Sequence, residues 1–253
     1  MEYVRVTNEN LEQEHICCAI SNNRDAQVAS KKAWLSARFD EGLVFLKSAE
    51  RGKCFIEYMP AENAWVPMTA DGYMHVNCLW VSGSLKGHGY SNDLLDECVR
   101  DAEEQGRSGL TILSSAKKKG FLADPKYLRH KGFEVADESD TGIQLWRLSF
   151  KNGAAMPQFK DCAKHPAVTE DGFVLHYSDQ CPYTYYWVPM LSEAARAHNI
   201  PLKVIYIDSR EKAQNAPSPV TNFSLFRDGK FLSHEIQSEK KFLALAGIPE
   251  AAE

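Results

Sequence analysis

Asn77-Cys78-Leu79-Trp80-Val81-Ser82-Gly83-Ser84-Leu85-Lys86-Gly87-His88-Gly89-Tyr90-Ser91 runs directly into Asn92-Asp93-Leu94-Leu95-Asp96-Glu97-Cys98-Val99-Arg100-Asp101-Ala102-Glu103-Glu104. The first part is an apolar run with aromatic and β-branched residues, and the middle is rich in glycine. The last part puts Leu94, Leu95, Cys98, Val99 and Ala102 at helical spacing. The stretch reads as strand, loop, helix. Glycines at 87 and 89 let the backbone approach a ligand closely, and the first helical turn offers N–H groups without partners inside the helix. An anion fits there, favoured by the helix dipole and by Lys86. The loop lacks the Gly-Lys-Ser/Thr ending of a P-loop and the full Gly-x-Gly-x-x-Gly of a dinucleotide site. An ordinary strand-to-helix turn is the competing reading.

The rest of the chain sets the context for that stretch. Its 253 residues suffice for two domains, and 44% hydrophobic with 25% charged residues is the composition of a globular protein. A net charge of -5 speaks against a general nucleic-acid binder. The basic run Lys117-Lys118-Lys119 reads as a solvated loop. No apolar stretch is long enough to span a bilayer and the first residues lack a secretory signal, so a cytoplasmic protein without membrane partners is expected. Seven cysteines, at 17, 18, 54, 78, 98, 162 and 181, form no CxxC pair. They read as reduced thiols, with neither a disulfide framework nor a metal site expected.

Strand and helix signals alternate through the first 150 residues. Strands are expected at 3–6, 43–46, 54–58 and 109–115, and helices at 10–19 and 25–39, the latter capped by Asp25. A further helix leads to Lys131-Gly132-Phe133. Residues 151–172 show no periodicity and read as a loose linker. Beyond it, strands are expected at 173–177 and 202–208, the second of a parallel type. A helix ends near His198, a hairpin turns at Asp228-Gly229, and a last helix covers 239–245.

Lys86-x-x-Gly89-x-Ser91, with an extra glycine at 87, resembles the acyl-CoA loop Gln/Arg-x-x-Gly-x-Gly/Ala of the GNAT superfamily of N-acetyltransferases. The two departures, Lys86 and Ser91, are small, because such a loop works through backbone amides. The strand before the loop, the amphipathic helix after it and the later Gly132-Phe133 agree with that family. Over residues 172–247 the element order, with Cys181-Pro182-Tyr183-Thr184 heading a helix, resembles the thioredoxin and glutaredoxin fold. The combination resembles bacterial proteins with a C-terminal YoaP-type domain. The expected fold class is therefore α+β and α/β: a GNAT-type mixed sheet flanked by helices over 1–150, a linker at 151–171, and a smaller thioredoxin-like domain at 172–253.

The resemblance implies acetyl-CoA as co-substrate and a small-molecule or peptide amine as acceptor, attacked directly. Its pyrophosphate would meet the amides of Lys86, Gly87, His88, Gly89, Tyr90 and Ser91, and its pantetheine the backbone of Leu79 and Val81. His75 falls where some members keep a catalytic glutamate, and histidine titrates in a range suited to a general base; a packed strand histidine is the competing reading. Glu57, on the neighbouring strand, is the substitute base, or else a solvent-facing residue. The family's acid is often a tyrosine four residues before the Gly of Gly-Phe. Here that place is Leu128, with Tyr127 about 100° away around the helix and His130 and Tyr90 as alternatives.

His15-Ile16-Cys17-Cys18 falls on one wall of the family's acceptor pocket, or is a buried turn. Cys181 at a helix start is expected to have a lowered pKa, yet Thr184 replaces the resolving cysteine. A linker-borne Cys162 could stand in for it. Pro219, or Pro217, is the candidate for the cis-proline beside such a thiol. Tyr183, Tyr185, Tyr186 and Trp187 read as an interface between the domains, with an acceptor-facing surface beside Cys181 as the other reading. Besides the transferase, two functions stay open: a monothiol oxidoreductase or thiol-binding protein whose first domain senses acyl-CoA, and a CoA binder without turnover.

Overall fold

The computed structural model describes residues 1–16 and 22–248. The first module runs β1 (Tyr3–Val6), α1 (Ala26–Phe39), β2 (Val44–Ser48), β3 (Cys54–Pro60), β4 (Met68–Thr69), β5 (Tyr73–Val81), α2 (Tyr90–Glu104), β6 (Gly109–Ser115), α3 (Pro125–His130), β7 (Glu134–Glu138) and β8 (Ile143–Ser149). A seven-stranded sheet in the order β1-β2-β3-β5-β6-β8-β7 is its centre, with β5 and β6 parallel and the other neighbours antiparallel. Alternation along the strands sends Phe45, Phe55, Met59 and Tyr73 to a core shared with Trp34 and Leu35 of α1. Ile56, Tyr58, Met74 and Val76 go to the other face, under Leu94, Leu95 and Cys98 of α2 and Leu128 of α3. Asp25 caps α1 by accepting the Gln27 N–H at 2.9 Å.

One irregularity re-aims the end of β5. Tyr58 of β3 pairs with Val76 but Glu57 pairs with Cys78, so Asn77 is an extra residue and forms a β-bulge. Unbulged alternation would put Cys78 on the α2 face with Met74 and Val76. The bulge moves it to the α1 face, and Leu79 and Val81 take the α2 face.

After β9 (Gln158–Phe159) and α4 (Asp161–Lys164), the second module comprises β10 (Phe173–Tyr177), α5 (Thr184–Ala197), β11 (Leu202–Tyr206), α6 (Arg210–Gln214), β12 (Phe223–Arg227), β13 (Lys230–Ser233) and α7 (Glu239–Leu245). Its four-stranded sheet has the order β11-β10-β12-β13, with β10 and β11 parallel as expected and β12 antiparallel to both its neighbours. Phe173, Leu175, Leu191, Phe223 and Phe242 form its core with α5 and α7. Asp228 and Gly229 take positive φ in the hairpin turn.

Several expectations are corrected. Residues 8–13 form turns in place of a helix, because the Asn10 side chain accepts from Thr7 N and donates to Arg5 O, competing with helical bonding. The segment expected to be loose is strapped to the first module. There β9 pairs with β4, and Ser139 Oγ donates to the carbonyl of fully buried Ala163. Cys162 is therefore fixed in α4 and does not line the cavity beside Cys181. Among the described residues no peptide is cis, so neither Pro217 nor Pro219 takes that form. Tyr183, Tyr185 and Tyr186 stay exposed, with Tyr183 lining a chamber at the interface between the modules. That interface comes from Trp65 against Ile207, Ala213 and Ala216, and from Thr221 Oγ1, which donates to Trp65 O at 2.6 Å. Ile16 is buried; Cys17 and Cys18 lie outside the described residues.

Candidate active site

The glycine loop and α2 build one end of the site. Gly87 and Gly89 have φ of +84° and +83°, and a Cβ on either would meet nothing within 4 Å, so the loop leaves a cradle beside its backbone. Gly89 caps α2 without a side-chain bond. Among the described residues no backbone carbonyl takes a hydrogen bond from the amides of 87–91. Lys86 and His88 are exposed, and the His88 ring stacks on Tyr90 at 5.5 Å. Leu79, Val81, Lys86, Gly87, Gly89, Tyr90, Ser91 and Tyr127 line a cavity of about 200 Å³. Tyr127 Oη donates to Ser91 O at 2.8 Å, and burial pushes its pKa up to about 12, so the phenol keeps its proton. Leu128, the position the family pattern points to, is fully buried core.

The middle of the site is a gap between strands. Pairing of β5 with β6 ends at Val76 and Ile112, although both strands continue. Ser82 N–H donates to Lys53 O across the β3 side at 2.8 Å. By strand alternation the backbone of 80 therefore faces β3, and that of 79 and 81 faces the gap. His75 lines a narrow cavity of about 60 Å³ there. It is buried, its Nδ1 lies 2.9 Å from Thr111 Oγ1, and desolvation pulls its pKa down to about 3. This corrects the titration range read from sequence: His75 is neutral and a weak base.

Beyond the gap lies a chamber of about 580 Å³ between the modules. Glu57 is buried on its wall rather than solvent-facing. Lys31 Nζ of α1 donates to Glu57 Oε2 at 2.6 Å and to Gln180 O of the second module at 2.7 Å, and it sits 4.3 Å over the Trp34 ring. Asn77 Nδ2 donates to Glu57 Oε1 at 3.1 Å. Cys181 and Cys78 line the same chamber. Contrary to expectation the Cys181 thiol is pushed up, because burial outweighs the Tyr183 N–H that favours its thiolate. Cys181 precedes α5 rather than starting it. Burial likewise pushes Cys78 up to about 12. Thr184, at the place of a resolving cysteine, is buried and donates to Cys181 O at 2.7 Å.

Lys31, Asn77 and Cys78 are absent from the sequence-derived set. Only Asn77 carried a signal, as a polar residue in an apolar strand. Among the described residues no group of His, Cys, Asp and Glu is arranged to hold a metal, and no helix is long and apolar enough to cross a membrane.

A mixed sheet with flanking helices, a glycine loop at a helix start and a backbone edge left open beside it are the arrangement that the resemblance to GNAT-type acetyltransferases implies. A family described as YoaP-like matches residues 201–243. The chain is 41% identical over 243 residues to the uncharacterized N-acetyltransferase YoaP of Bacillus subtilis (strain 168), covering 96% of this chain and 97% of that protein. It is also similar to the ribosomal-protein-alanine N-acetyltransferase of Brucella melitensis (17% identity, 59% of this chain and 100% of that one, TM-score 0.43). A third similarity is to the PaiA N-acetyltransferase of Thermoplasma acidophilum in complex with coenzyme A (14%, 59% and 100%, TM-score 0.41). The chain belongs to the YoaP family of N-acetyltransferases.

Proposed function

We propose that the protein transfers an acetyl group from acetyl-CoA to a primary amine by direct attack, in the cytoplasm. The observation that carries this is the open backbone edge at Leu79 and Val81, which connects the amide cradle of residues 87–91 to the chamber holding Glu57. The reaction is R–NH3⁺ + acetyl-CoA → R–NH–CO–CH3 + CoA–SH + H⁺: the amine nitrogen forms a bond to the carbonyl carbon and the C–S bond breaks. The loop amides and the positive end of α2 suit a pyrophosphate, with Lys86 beside it. An extended chain of amides suits the free edge of 79 and 81. Glu57 is the residue for the amine's proton, in place of neutral, weakly basic His75. Tyr127, protonated and held at Ser91, is the residue that returns a proton to the departing thiolate.

We read the second module as thioredoxin-like, on the support of its strand order and the Cys-Pro-Tyr-Thr turn ahead of α5. Its raised thiol and Thr184 do not favour oxidoreductase chemistry, so its contribution is one wall of the chamber.

Calorimetric titration with acetyl-CoA tests the proposal. The wild type binds, and Gly89→Val, which puts a side chain into the cradle and costs about 1–2 kcal/mol in left-handed backbone, loses binding by at least about tenfold, equivalent to 1.4 kcal/mol. Equal affinity in the two folded proteins sinks the assignment of the loop.

A further inference from the structure

Lys31, Glu57 and Asn77 form one hydrogen-bonded network on the chamber wall. Lys31 Nζ is engaged by Glu57 and Gln180, and the two Glu57 oxygens by Lys31 and Asn77. Within that network one acceptor is left: Asn77 Oδ1 is buried and has no hydrogen-bond partner among the described residues. A buried acceptor without a donor is costly, about 1–3 kcal/mol, and calls for a group that completes it. Asn77 sits at the bulge and is a polar residue that lines both the strand gap and the chamber beside Glu57.

Resting on the transferase reading, we infer that Asn77 Oδ1 seats the N–H of the acceptor amine, and that the acceptor is a compact primary amine with an aromatic or branched apolar body. The neutral attacking amine donates one N–H to Oδ1, which leaves its lone pair free to point toward the gap. Asn77 cannot rotate away without giving up the Glu57 bond that orients it. The body of the acceptor then meets Phe55, Trp80, Phe121, Val220 and Phe223. Cys78 and Cys181, both un-ionised at neutral pH, add soft apolar surface. Charged Lys53 and Glu235 are exposed residues of the chamber lining. A volume of about 580 Å³ is that of a small-molecule pocket. Gln180, Asn222 and His234 also line the chamber, but a peptide end would bring several backbone N–H and C=O groups against its apolar part, where they would lose their hydrogen bonds.

The full chain is tested with acetyl-CoA and two acceptors, 2-phenylethylamine and a hexapeptide with a free amino-terminal alanine. The expected result is a kcat/KM at least about tenfold higher for 2-phenylethylamine. Asn77→Leu should raise its KM by about tenfold, the loss of one hydrogen bond, with acetyl-CoA affinity in calorimetry unchanged. A second readout needs no turnover. With CoA present, 2-phenylethylamine slows maleimide alkylation of Cys181, followed by peptide mass spectrometry, whereas 2-phenylethanol does so weakly. A hexapeptide that is acetylated as well or better overturns the proposal, as does an amine that leaves Cys181 alkylation unchanged. Either result with acetyl-CoA still bound falls on the acceptor class alone, while failure to bind acetyl-CoA falls on the transferase reading.

Discussion

His75 shows how a residue's surroundings rather than its identity decide its chemistry. Its folded pKa of about 3 lies below the ordinary 6.5. The unfolded chain therefore takes up a proton first, and keeping His75 neutral favours the fold fully above about pH 6.5. As pH falls from 6.5 toward 3 that stability is lost, at up to about 1.4 kcal/mol per pH unit. His234, also at about 3, and His176, at about 4, act in the same direction. Urea unfolding at a series of pH values should show this slope, and His75→Gln should flatten it by about one histidine's share. An unchanged slope would mean that His75 is not held neutral. The residue types at 57, 75 and 127 were legible as candidates from sequence. Glu57 proved buried and paired, His75 proved weakly basic, and Tyr127 reached the loop although Leu128 occupies the family's position.

The element that shapes the site is β5, which is bulged at Asn77 and released by β6 after Val76. Gly109 begins β6 at the point where the parallel pair starts. A Cβ there would lie 2.1 Å from Leu148 O on β8, and 3.0 Å from the Tyr73 ring on β5. Backbone cannot yield as a flexible side chain does, so Gly109→Ala is expected to cost about 3 kcal/mol in urea unfolding. A loss below about 0.5 kcal/mol, the range of a surface change, would show that β6 can shift freely against β8. The strand itself was legible from its apolar run. The bulge was not, because nothing in Val76-Asn77-Cys78 distinguishes an extra residue from ordinary alternation until Glu57 and Tyr58 are seen opposite.

On the scale of the whole molecule, Lys31 joins three parts: α1, which carries it, β3 through Glu57, and the second module through Gln180. Lys31→Met leaves a buried carboxylate without its counter-charge, with an expected loss of about 3–5 kcal/mol. The double variant Lys31→Met with Glu57→Leu should regain most of that stability. Hydrogen exchange at residues 178–184 should speed up in both variants, since neither restores the bond to Gln180. Exchange that stays at the wild-type rate would show that Trp65, Thr221 and their neighbours hold the modules together without Lys31.

The amino-acid sequence alone determined most of the longer strands and helices, the glycine loop at the head of α2, and the hairpin at Asp228-Gly229. Each of these rests on local periodicity or on a backbone preference expressed within a few residues. Tertiary structure alone decided that Asn77 is the bulge, that Cys78 and Cys181 face one chamber, and that Lys31 pairs with Glu57 and with Gln180. The partners in those contacts lie up to 149 residues apart, as Lys31 and Gln180 do. Burial, which sets the protonation of His75, Tyr127 and both thiols, exists only once distant segments have packed together.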